Sequence, residues 1–328
     1  MRTDSEQPRA SRLGLGLAAL GRPGYINLGH ADDLERHYDV AAMTAHAHEV
    51  LDAAWAAGLR DFDTARSYGK AEEFLASWLA ARRIEPQDVT VSSKWGYAYT
   101  AGWRVDAAVH EVKKHSLDRL EQQIAESRAI LGRHLDLYQI HSATLSSGVL
   151  DDERVLERLG ALRGEALHIG LTVTGLDQSA TVRRAIDVEV AGERLFASVQ
   201  ATWNVLERSA ETALAEAHRA GLRVIVKEAL ANGRLTDRNH EAAFAAKRAV
   251  LDRLARRLET TIDAVALAAV LARPWTDLAL CGAATVEQLR SNVGARSVRL
   301  DDAAIADLDA LAEPPAQYWQ TRAAMPWN

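Results

Sequence analysis

Residues 61–73 read DFDTARSYGKAEE. A short apolar run closes on Asp63, and Tyr68 follows five residues later, just before a glycine. Further on, TVSSKWG brings a second apolar run to Lys94, and LDLYQIHS brings a third to His141. An acid, a phenol, an amine and an imidazole, each at or just beyond the end of a strand-like run, can exchange protons if they meet. Taken singly, each has a plain structural reading: a turn cap, a packing ring with a wet tip, a lysine leaving the fold, a satisfied core histidine. Burying all four together is costly unless they pair. Pairing shifts pKa values, and that is how a reactive group is made.

The elements that must position these residues alternate along the chain. Strand candidates are 13–20, 59–63, 89–94, 135–141, 167–172, 196–201, 223–228 and 277–280. Helical patterns lie between them at 41–57, 71–81, 116–131, 152–164, 178–190, 211–220, 242–258 with 262–272, and 286–295, and 301–311 forms a terminal helix. Alternation implies parallel strands joined by helical crossovers. Eight such units predict an α/β fold, a (β/α)8 TIM barrel with chemistry at the C-terminal ends of its strands. A long loop follows strand three and a C-terminal tail is expected at the mouth. No linker rich in Pro, Gly or Ser divides the chain, so residues 1–328 read as one domain. A doubly wound sheet is the competitor, but GLGLAALG at 14–21 misses the G-x-G-x-x-G spacing because Ala19 stands where the third glycine belongs.

The chain has 328 residues and a formal net charge of -6, with Lys and Arg scattered, so a nucleic-acid partner is not expected. The single cysteine, Cys281, excludes an intrachain disulfide and suits a reducing, cytoplasmic setting. The apolar run at 13–20 follows Arg9 and Arg12 but is short for a signal segment and reads better as a strand. No run approaches the roughly 18 apolar residues of a membrane span.

FDTARSYGKAEE (62–73), SSKWG (92–96) and YQIHS (138–142) together resemble the aldo-keto reductase family, over about residues 14–311. The resemblance implies that Tyr68 is the general acid-base, that Lys94 and Asp63 tune it, and that His141 orients a substrate carbonyl. A free tyrosine has a pKa near 10. An ammonium within reach lowers it, and the carboxylate keeps that ammonium charged. The implied reaction moves hydride between a nicotinamide cofactor and an aldehyde, a ketone or the matching alcohol.

The same resemblance places nicotinamide contacts at Thr172, Gln200 and Lys227. Gln200 is expected to grip the carboxamide with donor and acceptor. Family members often carry Ser-Asn where this chain has Thr172-Val173, and an aromatic ring where it has Lys227. A cation at that position would disfavour the oxidised ring. For the phosphates, two loops offer backbone donors: 229–236, with Ala229, Leu230, Asn232, Gly233 and Arg234, and 281–292, with Gly282, Ala283, Ala284 and Thr285. Thr285 and Gln288 also form a capping-box pattern. Gln288 and Asn292 are assigned to the adenosine end. NADP-preferring members usually carry cations in place of Gln288 and Gly282, so Arg234 or Arg290 would have to reach a 2′-phosphate. NADP(H) is favoured on family habit, with NAD(H) at nearly equal weight.

Substrate contacts are expected from Trp95, Tyr97, Tyr99 and Trp103 in the loop after strand three, from Trp203, and from Tyr318, Trp319 and Trp327 in the tail. Trp95, directly after Lys94, is the favoured one. Such rings suit an apolar or sugar-like carbonyl compound. HEVKKH (110–115) and AHAHE (45–49) place their histidines five and two apart, not four, so neither is a zinc helix. All four read as surface or loop histidines, and no metal is expected. Two other readings stay open: a Schiff-base lyase using Lys94 or Lys227, and a cofactor-binding regulatory subunit with little turnover.

Overall fold

The computed structural model describes residues 12–328; Arg9 of the N-terminal run lies outside them. Eight parallel strands close into a barrel. They are β1 (Leu13–Gly16), β2 (Asp61–Asp63), β3 (Thr90–Trp95), β4 (Leu135–Ala143), β5 (His168–Val173), β6 (Ser198–Thr202), β7 (Arg223–Lys227) and β8 (Leu278–Cys281). They follow one another around the barrel in chain order, and β1 closes it by pairing with both β2 and β8. All eight expected runs are barrel strands.

The departures are at the ends and in the connections. The first run stops at Gly16, because Leu17 turns the chain and its carbonyl accepts from the amides of Leu20 and Gly21. The helical pattern at 178–190 ends at Ile186, and Glu189–Val190 pairs with Glu193–Arg194 as a small hairpin. Further elements outside the barrel were not foreseen, among them a short helix at His30–Asp33 in the loop after β1. Tyr97–Tyr99 pairs with Glu111–Lys113 as an antiparallel hairpin above β3, and a helix spans Pro315–Ala324 in the tail, with proline at its first turn.

Period-two alternation sorts the barrel interior into layers. At the base, Arg223 Nη2 donates to Asp61 Oδ1 at 2.7 Å. Above it Leu137, Ile225, Leu278 and Leu280 form an apolar plug. Over the plug lies a polar floor of Asp63, Ser92, Lys94, Gln139 and Gln200, all but fully buried. Gly170 makes room for that floor, since a Cβ there would meet Ser198 Oγ at 2.3 Å and Gln139 Cγ at 3.2 Å. The outward residues of the same strands, Val91, Ile140, Leu171 and Val199, bury against the helices in the main core. Each such side chain stabilises the fold by about 1.5–3 kcal/mol. No described helix is long and apolar enough to cross a membrane.

Candidate active site

The polar floor organises around one carboxylate. Lys94 Nζ pairs with Asp63 Oδ1 and also donates to the Thr64 carbonyl at 2.8 Å. Asp63 Oδ2 accepts from Ser92 Oγ at 2.7 Å, Gln200 Nε2 at 3.0 Å and Gln139 Nε2 at 3.2 Å. Tyr68, on the loop after β2, lies above them. Its ring centre is 4.8 Å from Lys94 Nζ and 5.5 Å from the His141 ring, edge to face. Ser67 Oγ lies 3.4 Å from His141 Nδ1. The four expected residues therefore meet, and Asp63, Tyr68 and His141 line one cavity of about 1070 Å³.

The loop that carries Tyr68 is held from below. Glu72, fully buried, accepts from Ser127 Oγ and Arg66 Nη1, both at 2.7 Å, and from Ser93 Oγ. Gly69 takes φ +62, and a Cβ there would stand 2.5 Å from the Gly21 carbonyl, so the loops after β1 and β2 touch backbone to backbone.

The electrostatics run against the expected lowering of the phenol. Burial pushes the Tyr68 hydroxyl well above 10.0, and the Asp63 carboxylate pushes the same way; the guanidinium of Arg22 opposes both. Lys94 directs its ammonium to Asp63 and Thr64, and its own pKa is lowered by burial against the pull of Asp63. Burial, with the cations Lys94, Lys227 and Arg22, holds His141 well below 6.5. Tyr68 is thus a protonated phenol and His141 a neutral imidazole through the neutral range.

Around this floor the mouth is built from segments that lie far apart along the chain. HEVKKH is part of it. His110 stacks on Trp327 with ring centres 4.0 Å apart, Glu111 pairs with Arg22, and His115 Nε2 donates to the His141 carbonyl at 2.9 Å. His110 and His115 do lie in loop on either side of Glu111–Lys113, as one arm of the expectation has it, but they support the mouth and are not surface histidines. Of the AHAHE pair, both on the helix Val40–Ala56 and both half-buried, His46 Nε2 donates to the Ala284 carbonyl at 2.6 Å and His48 Nε2 bonds Ser77 Oγ at 2.9 Å.

Among the expected pocket rings, Tyr97 lines the cavity 4.8 Å from His141, and Trp327 lines it from the tail. Trp95, Trp103 and Trp203 do not line it. Trp95 follows the inward Lys94 on the same strand, so alternation sends it outward, fully buried against His115. Trp103 packs on Phe74 and donates to the Tyr38 carbonyl at 2.6 Å, and Trp203 packs on Trp275. Tyr318 is buried and accepts from Asn204 Nδ2. Arg22, Tyr25, Glu228 and Arg322 line the mouth and were not foreseen.

Glu228 and Arg322 join the tail helix to β7. Arg322 Nε donates to both carboxylate oxygens, at 2.9 and 3.0 Å. Burial alone would raise the Glu228 carboxyl, but Arg322 and Lys227 bring it down to about 2 from the usual 4.5. A depressed carboxylate stabilises the fold fully above its unfolded value, and that stability is lost as pH falls through the folded value. Between about pH 4.5 and 2 the tail should loosen. Arg322→Met removes the depression, so acid unfolding followed by circular dichroism should begin at higher pH than in wild type; an identical acid midpoint would show that the pair is idle.

From the mouth the cavity runs along the ends of β5 to β8. Of the residues expected to hold a cofactor, Thr172, Gln200, Lys227, Ala229, Leu230, Asn232, Gly233, Gly282, Ala283, Thr285, Gln288 and Asn292 line it, while Arg234 and Ala284 do not. Arg234 is clamped by Glu313 through two hydrogen bonds of 2.7 and 3.0 Å and is not available to a 2′-phosphate. Arg290 is exposed on its helix and lies outside the cavity lining. Thr285 caps its helix through the Gln288 amide at 3.2 Å, but the reciprocal arm differs: Gln288 Oε1 accepts from Ala284 N, one residue early, and its Nε2 donates to Asp33 Oδ1. Gln200 is already donating to Asp63, and Thr172 Oγ1 accepts from Ser142 N.

The channel fits an extended, polar cofactor. The side-chain oxygens of Asn232 and Asn292 are buried with no hydrogen-bond partner, and a loop from β1 crosses above them, with Leu28 N donating to the Asn232 carbonyl and Arg238 pairing with Asp33.

Residues 12–313 match the model of the Aldo/keto reductase family, and the chain belongs to that family. Its similarity to individual members is distant. It is 24% identical to the aldo-keto reductase ausK of Emericella nidulans, over 93% of this chain and 79% of that one. It is 24% identical to a probable aryl-alcohol dehydrogenase, AAD4, of Saccharomyces cerevisiae, over 81% and 87%. The aldo-keto reductase AKR11C1 from Bacillus halodurans, in its holo form, superposes with a TM-score of 0.69 at 19% identity, covering 93% of both chains. Family and relatives together support an oxidoreductase function.

Proposed function

We propose that this protein is a nicotinamide-dependent carbonyl reductase in which Tyr68 donates the proton to the substrate oxygen. The observation that carries the reading is the joint burial of Asp63, Lys94 and His141 around the Tyr68 ring at the inner end of one cavity. A phenol held protonated is the donor form, which suits reduction over oxidation. His141, neutral, can hydrogen-bond the same oxygen without adding a charge. When bound, the nicotinamide supplies hydride. On this reading Gln200, Thr172 and Lys227 sit at the nicotinamide end, and Asn232, Gly282, Ala283 and Asn292 hold the remainder.

With Arg234 engaged by Glu313, the case for NADP(H) rests on family habit, and NAD(H) is the equal alternative. Titrating both reduced nucleotides by fluorescence, then following nicotinamide absorbance over a panel of aldehydes and ketones, tests the reading. Turnover of no carbonyl compound despite tight cofactor binding would replace it with the regulatory-subunit reading, and borohydride trapping of a carbonyl compound on Lys94 or Lys227 with the lyase reading.

Lys227 gives a separate prediction. Its Nζ donates to Thr202 Oγ1 at 3.0 Å and lies 3.7 Å from Glu228 Oε1, at the rim of the cavity. A cation facing the nicotinamide repels the oxidised ring, by on the order of 1 kcal/mol at 4 Å in a water-like dielectric. Lys227→Met should therefore improve binding of the oxidised nucleotide relative to the reduced one by about fivefold. Equal changes in both dissociation constants would remove the hypothesis.

A further inference from the structure

Arg22 stands in the turn after β1, within GRPGY, and only 2% of it is exposed. Its Nη1 donates to the Ser67 carbonyl at 3.0 Å, next to Tyr68 in the chain, and pairs with Glu111 of the hairpin. The guanidinium carbon lies 5.2 Å from the centre of the Tyr68 ring, 5.3 Å from that of Tyr25 and 4.8 Å from that of Trp327. Its Nε is buried with no partner among the described residues. The main chain fixes this arrangement. Lys70 N donates to the Gly21 carbonyl at 2.7 Å, and a Cβ on Gly21 would fall 2.2 Å from the Tyr68 carbonyl. The charge cannot move away from the phenol without the two loops separating.

We propose that Arg22 is a positioning residue for Tyr68: a fixed positive charge against the phenol, metered by Glu111, which offsets the carboxylates that surround the ring. Those groups come from every side. Asp63 and Lys94 rise from β2 and β3, His141 from β4, Lys227 and Glu228 from the end of β7, Glu111 from the hairpin, and Tyr25 from the turn itself. Asp63, Glu111 and Glu228 all favour the neutral phenol, and Arg22 opposes them. Lys94 Nζ also faces the ring, at 4.8 Å from its centre, but its charge is paired with Asp63 and bonded to the Thr64 carbonyl, and Lys227 is turned to Thr202, so Arg22 is the cation against the ring whose carboxylate partner, Glu111, stands outside the barrel floor. The inference rests on Tyr68 being the proton donor.

A titration that needs no turnover tests it separately from that reading. A difluorotyrosine installed at position 68 has a more acidic phenol than tyrosine, which brings its ionisation to lower pH, and fluorine NMR follows its protonation. Arg22→Met should move the midpoint upward by about one pH unit, in line with the loss of a charge at this range. Arg22→Lys should hold it near the parent value, and Glu111→Gln should move it downward. Opposite movements are what a charge produces and a packing role does not. No shift in Arg22→Met, or shifts of the same sign in Arg22→Met and Glu111→Gln, overturns the proposal. Should Arg22→Met fail to fold, the downward shift of Glu111→Gln supports the proposal and its absence overturns it. Tyr68→Phe, assayed for turnover, stands or falls without reference to these midpoints.

Discussion

On the proposed function, Tyr68→Phe should lose carbonyl reduction by about 10²–10⁴-fold in kcat, the usual contribution of a positioned proton donor, with nicotinamide affinity unchanged. The substitution removes one hydroxyl. The phenyl ring keeps its edge-to-face contact with His141 and its place against Arg22. No described group hydrogen-bonds that hydroxyl, so stability should stay within about 0.5 kcal/mol of wild type. Cofactor titration and a thermal melt then separate lost chemistry from lost structure. The pH dependence follows from the direction of the shift: with the phenol pushed above 10.0 by burial and by Asp63, the donor stays protonated, and wild-type reduction should be level through neutrality and slightly alkaline pH. An alkaline limb below pH 10 that disappears in Tyr68→Phe would contradict that direction. A variant that keeps more than a tenth of wild-type kcat would remove Tyr68 from the reaction.

Asp63, Tyr68, Lys94 and His141 were legible because each stands near a strand end or in the loop just beyond one, and strand ends can be read from apolar runs bounded by polar residues. Barrel order followed from alternation of those runs with helical patterns. Gln139 was legible too, in hindsight: it stands two residues before His141, so alternation puts both on the same inward face, and it now donates to Asp63. The same rule would have turned Trp95 away from the cavity, since its neighbour Lys94 points in.

Pairings between distant segments were not legible. Arg22 meets Glu111 across 89 positions and Arg322 meets Glu228 across 94, and neither has a spacing that announces its partner. HEVKKH illustrates the point most sharply. Read as a helix it is a poor metal site. As the second strand of a hairpin, Glu111 and Lys113 share one face and Val112 the other, half exposed. Glu111 is thereby brought to Arg22, and Lys113 Nζ to the Ser142 carbonyl at 2.7 Å. The hairpin could be recognised only once its partner strand, Tyr97–Tyr99, had been placed.

The largest stability effect should come from Asp63. Its carboxylate neutralises Lys94 and accepts from three further donors, Ser92, Gln139 and Gln200, in a floor sealed below by the leucine and isoleucine plug. Asp63→Ala strands an ammonium only 1% exposed, together with two amides and a hydroxyl. Breaking a buried pair from one side typically costs about 3–5 kcal/mol, because the remaining charge has no compensation. Lys94 can escape part of that penalty by losing its proton, which burial already favours, so the loss should lessen as pH rises. Asp63→Ala with Lys94→Met removes both charges and should recover a good part of the deficit without restoring activity, a coupling that a double-mutant cycle measures directly. Urea unfolding of the four proteins, compared at equal slope, gives the numbers. If Asp63→Ala alone lies within about 1 kcal/mol of wild type, the pair does not hold the floor together, and the charge of Lys94 must be balanced by water entering from the cavity.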